Sequence, residues 1–115
     1  LNVLGDGSQQ KPYIHVNDLI NGIYTISNQI KDNFEVINLG PNDSGVRVKY
    51  IAEKIVEKFD KEIEIIYQNK KVGWIGDIPK YQFDTKKAQK YGFKPKLNSK
   101  EAIDKAINEI FQENL

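Results

Sequence analysis

Three apolar stripes at helical spacing, each fenced by chain breakers, set the limits on what this sequence can become. Leu19, Ile20, Ile23, Ile26 and Ile30 recur every three or four positions, the period of one helix face. Ile51, Ala52, Ile55, Val56 and Phe59 form a second stripe, and Ala102, Ile103, Ala106, Ile107, Ile110 and Phe111 form a third. The spacing predicts helices from Asn17 to about Gln29, from Lys49 to Phe59, and beyond Asn98. Asn17 is expected to cap the first helix, with Asp18 set against its positive end. Asn98-Ser99-Lys100-Glu101 is a capping-box pattern for the last. A short helix is expected behind Asp84 or Thr85, running through Ala88 and Tyr91, with Gly92 just past its end. Gly22 either weakens the first helix or lets another element approach it closely.

The segments between these stripes read as strands and loops. Tyr13-Ile14-His15-Val16 is expected to be a short strand after Pro12, which stops any helix and makes Lys11 extended. Phe34 to Leu39 is a second candidate strand, ended by Gly40-Pro41-Asn42-Asp43-Ser44-Gly45, a loop by composition. Val46-Arg47-Val48 is a short extended piece. Ile63, Ile65 and Tyr67 alternate with polar residues, so Glu62 to Gln68 is expected to be a strand with one solvated face. The fold class that follows is α/β: a small mixed domain of about four helices and two or three short strands, one layer of helix on a small sheet.

Composition closes several functional classes. With 115 residues the chain has the length of one domain, and with a net charge of +1 it is no general nucleic-acid binder. Cysteine is absent and there is a single histidine. A disulfide framework, a thiolate nucleophile and a zinc site are therefore not expected; a reducing, cytoplasmic setting fits. No apolar run reaches the ~18 residues of a membrane span. Methionine is missing even from position 1, which suggests a piece of a longer chain or one whose start has been removed.

Candidate chemistry concentrates in two stretches. Gly5-Asp6-Gly7 opens a donor-rich loop running to Lys11, a reasonable place to hold an anion; with no strand expected before it, a plain tight turn is the competing reading. The second stretch, Asn69 to Lys100, holds nine lysines against Asp77 and Asp84. It reads either as a solvated basic face or as a positive field for a diphosphate, with Lys70 and Lys71 the better candidates. Within it, Trp74 in Gly73-Trp74-Ile75-Gly76-Asp77 reads either as a platform for a base or sugar or as a core residue.

Elsewhere the signals are weak. No Gly-x-Gly-x-x-Gly follows a strand, so there is no dinucleotide-binding fingerprint, and there is no phosphate-binding P-loop. Tyr-x-x-x-Lys, in which a lysine activates a tyrosine for proton transfer, occurs as Tyr50…Lys54 and Tyr67…Lys71. In a lysine-rich chain both are expected by chance. His15, between Ile14 and Val16, is expected to be structural. The serines lack a nucleophile-elbow context.

Several segments resemble, in order, the C-terminal half of the NAD-dependent sugar-nucleotide epimerases and dehydratases, the extended short-chain dehydrogenase/reductase family. Lys-Pro-Tyr-Ile-His-Val-Asn-Asp (11–18) is similar to the family's Arg-Asp-Tyr-Ile-His-Val-x-Asp, and Glu-Val-Ile-Asn-Leu-Gly (35–40) to its Tyr-Asn-x-Gly strand end. Val48 to Phe59 is like the helix that follows. Gly-Trp-Ile-Gly-Asp-Ile-Pro (73–79) is similar to Arg-x-Gly-Asp-x, and residues 84–95 to Asp-x-x-Lys-x-x-x-x-Leu-Gly-Trp-x-Pro. The resemblance covers nearly the whole chain and implies one domain over 1–115, the nucleotide-sugar-binding lobe without its N-terminal dinucleotide-binding domain.

By that resemblance Lys11 stands where an arginine contacts the diphosphate, Tyr13 lines the nucleotide pocket, Asp77 binds a ribose hydroxyl, and Trp74 replaces a second arginine. Lysine offers a point charge where arginine would offer a bidentate fork; Lys71 or Lys70 is expected to replace the lost charge. The substrate implied is a UDP- or dTDP-sugar. NAD and the catalytic Ser/Thr-Tyr-Lys set would lie upstream, in a Rossmann domain, so no catalytic residue is expected here and the parent would be an isomerase or dehydratase open to homodimer formation. The alternative is a non-catalytic α/β module for a protein partner, which requires an exposed apolar patch on a helix.

Overall fold

A computed structural model describes residues 1–113. Three helices form where the apolar periods lie, α1 (Val16–Ser27), α2 (Val48–Val56) and α4 (Ser99–Glu113), and the expected short helix is α3 (Lys86–Lys90). Four two-residue strands accompany them. β1 (Asn2–Val3) runs parallel to β4 (Ile66–Tyr67), and β2 (Gln10–Lys11) runs antiparallel to β3 (Val46–Arg47). These are two separate small sheets, not the single sheet under one helical layer that the sequence suggested.

Three expected strands change. Residues 12–15 are irregular rather than extended into a ladder, because α1 starts at Val16. Its cap is His15, not Asn17: the ring Nδ1 accepts from the Asn17 N–H at 3.3 Å. Residues 34–39 form no strand, and the expected strand 62–68 shrinks to Ile66–Tyr67, the two residues that pair with β1. At α4 the capping box forms in both directions, with Glu101 N–H donating to Asn98 Oδ1 and Asn98 N–H to Glu101 Oε2, each at 2.9 Å.

The core is narrow. Ile26, Ala88 and Phe93 are buried together, with Ile14, Ile30, Ile37, Leu39 and Tyr91 packed around them. Gly22 is where Phe93 lies against α1: a Cβ there would stand 2.7 Å from the ring. Phe59 and Phe111 meet edge to face at 5.2 Å, joining the end of α2 to α4.

Polar anchors do much of what a larger core would do. Asp18, buried in α1, accepts from the Lys96 and Leu97 N–H groups at 2.9 and 3.0 Å. Ser99, at the start of α4, is buried; its Oγ accepts from the Tyr13 N–H at 3.0 Å and donates to Asp43 Oδ1 at 2.6 Å. Asp43 also accepts from the Ser99 and Gly45 N–H groups at 2.8 and 2.7 Å. One node thus ties three distant segments together.

Candidate functional site

The loop 4–11 and the loop 68–80 are sewn together by backbone. Gln68 N–H donates to Gly5 O at 2.9 Å, Asp6 N–H to Lys70 O at 2.7 Å, and Gln10 N–H to Pro79 O at 2.7 Å. The glycine loop is a tight turn: Gly5 and Gly7 have φ of 87° and 76°, and Asp6 Oδ1 accepts from Ser8 N–H at 2.8 Å. A strand, β1, does precede this loop, against expectation. The loop nevertheless leads into β2 rather than a helix, so it lacks the helix start that gathers phosphate.

This stitching brings together two residues 66 positions apart. Lys11 Nζ lies 2.5 Å from Asp77 Oδ1, and the Asp77 side chain is only 5 % exposed. Asp77 Oδ2 accepts from the Gly73 N–H at 3.3 Å, and Asp77 N–H donates to Trp74 O at 3.1 Å, closing the turn. The hydrogen bond it donates to Asp77 holds the Lys11 ammonium above its ordinary value. The same contact, with Gly73 adding to it, holds Asp77 below the usual carboxylate value.

Two phenols lie within electrostatic reach of the pair. The phenol of Tyr13 feels Lys11, Tyr81 and Asp77 electrostatically, and burial pushes it above its ordinary value. Tyr81, which also acts on Lys11, stands edge to face against Phe83 at 5.4 Å. Tyr81 escaped the sequence reading; its one signal was its place four residues after Asp77.

The other candidates sit differently. Trp74 is 64 % exposed, so it is no core residue; it shares the turn with Asp77 and lies over Gly76, whose Cβ would stand 3.6 Å from the indole. Lys71 acts on Asp6 and not on Asp77, so the structure does not bring it to the ion pair. Lys70 joins through its backbone carbonyl only.

The chance tyrosine–lysine pairs serve other purposes. The Tyr50 hydroxyl donates to Asp104 at 2.5 Å, and Lys54 pairs with Glu57. The Tyr67 hydroxyl is buried without a partner among the described residues. His15 is buried, with Nε2 2.7 Å from Glu109; because Nδ1 accepts, Nε2 carries the proton and donates. That is a structural role. Cavities of about 670 and 590 Å³ line α3 and its flanks, and neither includes Lys11, Tyr13 or Asp77.

No family model matches the chain. Among curated proteins it is 26 % identical over 106 residues to a putative UDP-glucose 4-epimerase of Methanocaldococcus jannaschii, covering 92 % of this chain and 32 % of that protein. It is 28 % identical over 101 residues to a probable GDP-L-fucose synthase 1 of Oryza sativa subsp. japonica, covering 88 % of this chain and 29 % of that one. A solved UDP-galactose 4-epimerase superposes with a TM-score of 0.78 at 26 % identity, over all of this chain and 36 % of the other. This chain matches the C-terminal part of sugar-nucleotide epimerases. UDP-glucose 4-epimerase of Thermotoga maritima, solved with UDP-glucose, shares the fold at a TM-score of 0.76 and 24 % identity, again over 36 % of its length. The chain spans about a third of these epimerases and their relatives. Among the described residues no helix is long and apolar enough to cross a membrane, and no acidic or histidine cluster suits a metal.

Proposed function

We propose that this chain is the nucleotide-sugar-binding domain of an NAD-dependent epimerase or dehydratase, spanning 1–115, and that it holds the nucleotide end of a UDP- or dTDP-sugar. The observation that carries this reading is the Lys11–Asp77 pair, with the Tyr13 and Tyr81 phenols within electrostatic reach of it. An ammonium has three N–H donors. Asp77 takes one, leaving two for diphosphate oxygens. The two phenol rings offer faces to a base or ribose, and Asp77 retains lone pairs for a sugar hydroxyl. Trp74, exposed on the same turn, adds a face at the rim. Lys71, beside Asp6, raises the positive field that draws the ligand in.

The described residues do not fit a nicotinamide cofactor. The glycine turn at 5–7, which follows β1, runs into β2 rather than a helix. The cofactor, the Rossmann domain and the catalytic set belong to the remainder of such an enzyme, which is cytoplasmic in this reading. This chain anchors the nucleotide while the sugar reacts elsewhere.

Titrating the chain with UDP-glucose and following amide shifts by NMR tests the site. Shifts are expected at Lys11, Tyr13, Asp77 and Tyr81, with weaker binding at high salt and in Lys11→Ala. No shift at these residues at millimolar ligand overturns the assignment. The second reading, a protein-interaction module, is favoured by one observation: α1 bears the exposed apolar stripe that it requires.

A further inference from the structure

Tyr50, Lys54 and Lys58 stand four residues apart, and so do Lys100, Asp104 and Asn108. On a helix that spacing puts each set in a row. α2 packs against α4, and the two rows line a common cleft of about 290 Å³, with the buried Ile107 also in its wall. α2 ends at Val56, so Lys58 prolongs its row from the turn that follows. The cleft shares no residue with the Lys11–Asp77 site.

Its polar groups divide by sign. Each acceptor group is already engaged by a donor of the cleft itself. Asp104 Oδ1 accepts from the Tyr50 hydroxyl at 2.5 Å, and its Oδ2 from Lys100 Nζ at 2.9 Å. Glu57 Oε2 accepts from Lys54 Nζ at 2.5 Å, and Asn108 Oδ1 accepts from Lys58 Nζ. The donors are not used up. An ammonium has three N–H groups and an amide nitrogen two, and the Asn108 amide nitrogen has no partner among the described residues. Three lysines against two carboxylates also leave one positive charge over.

The arrangement keeps those cations together despite their repulsion. The Tyr50 ring has Lys100 Nζ 5.0 Å and Lys54 Nζ 5.8 Å from its centroid, within cation–π range. Tyr50 and Asp104 hold the Lys100 ammonium above its ordinary value, so it stays charged. Lys100 lies in the first turn of a 15-residue helix, whose positive end adds to the same field. Spare donors converging from two helices suit a tetrahedral oxyanion, which presents acceptors in several directions. The volume falls at the bottom of the about 300–1,000 Å³ that whole small ligands occupy, so it admits one anionic group and excludes a nucleotide sugar.

We propose that the α2–α4 cleft is a second anion site, taking a single phosphoryl group, free or in a small phosphomonoester, on Lys54, Lys58, Lys100 and the Asn108 amide. A phosphoryl group carries about −1.5 to −2 charge at neutral pH and three strong acceptor oxygens, a match for the excess charge and the spare donors. Asp104 and Tyr50 act as positioning residues, holding Lys100 at the mouth. The site stands apart from the nucleotide-binding reading and does not rest on it.

Titrating the 115-residue chain with sodium phosphate at neutral pH and fixed ionic strength, followed by NMR amide shifts, tests the site. Saturable shifts are expected at Tyr50, Lys100, Asp104 and Asn108 in the millimolar range, with glycerol 2-phosphate doing the same and acetate failing to saturate. Lys58→Gln and Lys100→Gln, both at exposed positions, are each expected to weaken phosphate about two- to fivefold. Asp104→Asn keeps an acceptor for Tyr50 but removes an opposing charge, and is expected to tighten phosphate by a similar factor. The UDP-glucose shifts at Lys11 and Tyr81 should persist in all three variants. Saturation by phosphate alone would mark the free anion as the ligand, and saturation by both compounds the phosphoryl group in either form. No saturation by either, acetate binding as well as phosphate, or lysine variants that bind phosphate like the parent chain would each overturn the proposal. Absence of the UDP-glucose shifts with the phosphate shifts intact would instead fail the nucleotide site alone.

Discussion

At the scale of single residues, the consequential side chains are short polar ones. Ser99 holds the Tyr13 N–H and the Asp43 carboxylate at once. Ser99→Ala leaves the Tyr13 N–H unmet and removes one of three donors on Asp43, a cost of about 1–3 kcal/mol. Urea denaturation should show it, with Ser8→Ala, in an exposed turn, staying within about 0.5 kcal/mol of the parent. Asp77 makes a second case, because its two roles pull apart. In Asp77→Asn the Lys11 ammonium loses its partner and faces an anion unopposed, but the ribose acceptor weakens. Affinity for inorganic pyrophosphate is therefore expected to rise a few-fold while that for UDP-glucose falls, both measurable by calorimetry. A parallel fall in both would show that the pair acts as a structural clasp only.

At the scale of elements, Gly22 shows how far the sequence can be read. In an open helix Gly22→Ala would gain about 1 kcal/mol from propensity. Here the new Cβ would meet the Phe93 ring at 2.7 Å, and overpacking costs about 1–3 kcal/mol. A net loss of stability is expected on thermal denaturation, relieved by Phe93→Leu in the double variant. The sequence raised close approach at Gly22 but named no partner, since Phe93 is 71 positions on. The helices were legible because their signal is local: a 3.6-residue period, and an Asn98–Glu101 box closing within one turn. The segment 34–39 was misread for the opposite reason, since residues fit for a ladder cannot supply the neighbour. The first cap moved from Asn17 to His15 because an imidazole nitrogen accepted where the usual amide or hydroxyl oxygen was expected. At the site, Lys11 and Asp77 form an ion pair that no periodicity could announce, since the positions are 66 apart. Lys71 did not join them, because its charge settled by Asp6.

At the scale of the whole molecule, a small core makes carboxylates the principal tertiary ties, and that sets the response to pH. Asp43 is desolvated, which alone would raise its pKa, but donors from Ser99 and Gly45 outweigh this and hold it below its ordinary 3.8. Lys11 holds Asp77 below the same value, and Lys105 and then His15 hold Glu109 below 4.5. Asp104 is held down by Tyr50 and Lys100 against its own burial. A carboxylate whose folded value is depressed stabilises the fold above its unfolded value and ceases to do so as pH falls through the folded one. Lys11 and Lys100 are raised above 10.5, so their contribution persists until pH climbs past that. Stability should therefore be level between about pH 5 and 9 and fall steeply below pH 4. Urea midpoints at pH 3, 4, 5, 7 and 9 measure this directly. A molecule held mainly by apolar burial would show little acid loss, so a midpoint at pH 3 equal to that at pH 7 would mean that these anchors contribute little to the folded state. Ser99→Ala sharpens the test: with fewer donors on Asp43, its folded pKa moves back towards 3.8 or above, and the acid limb should lose part of its steepness.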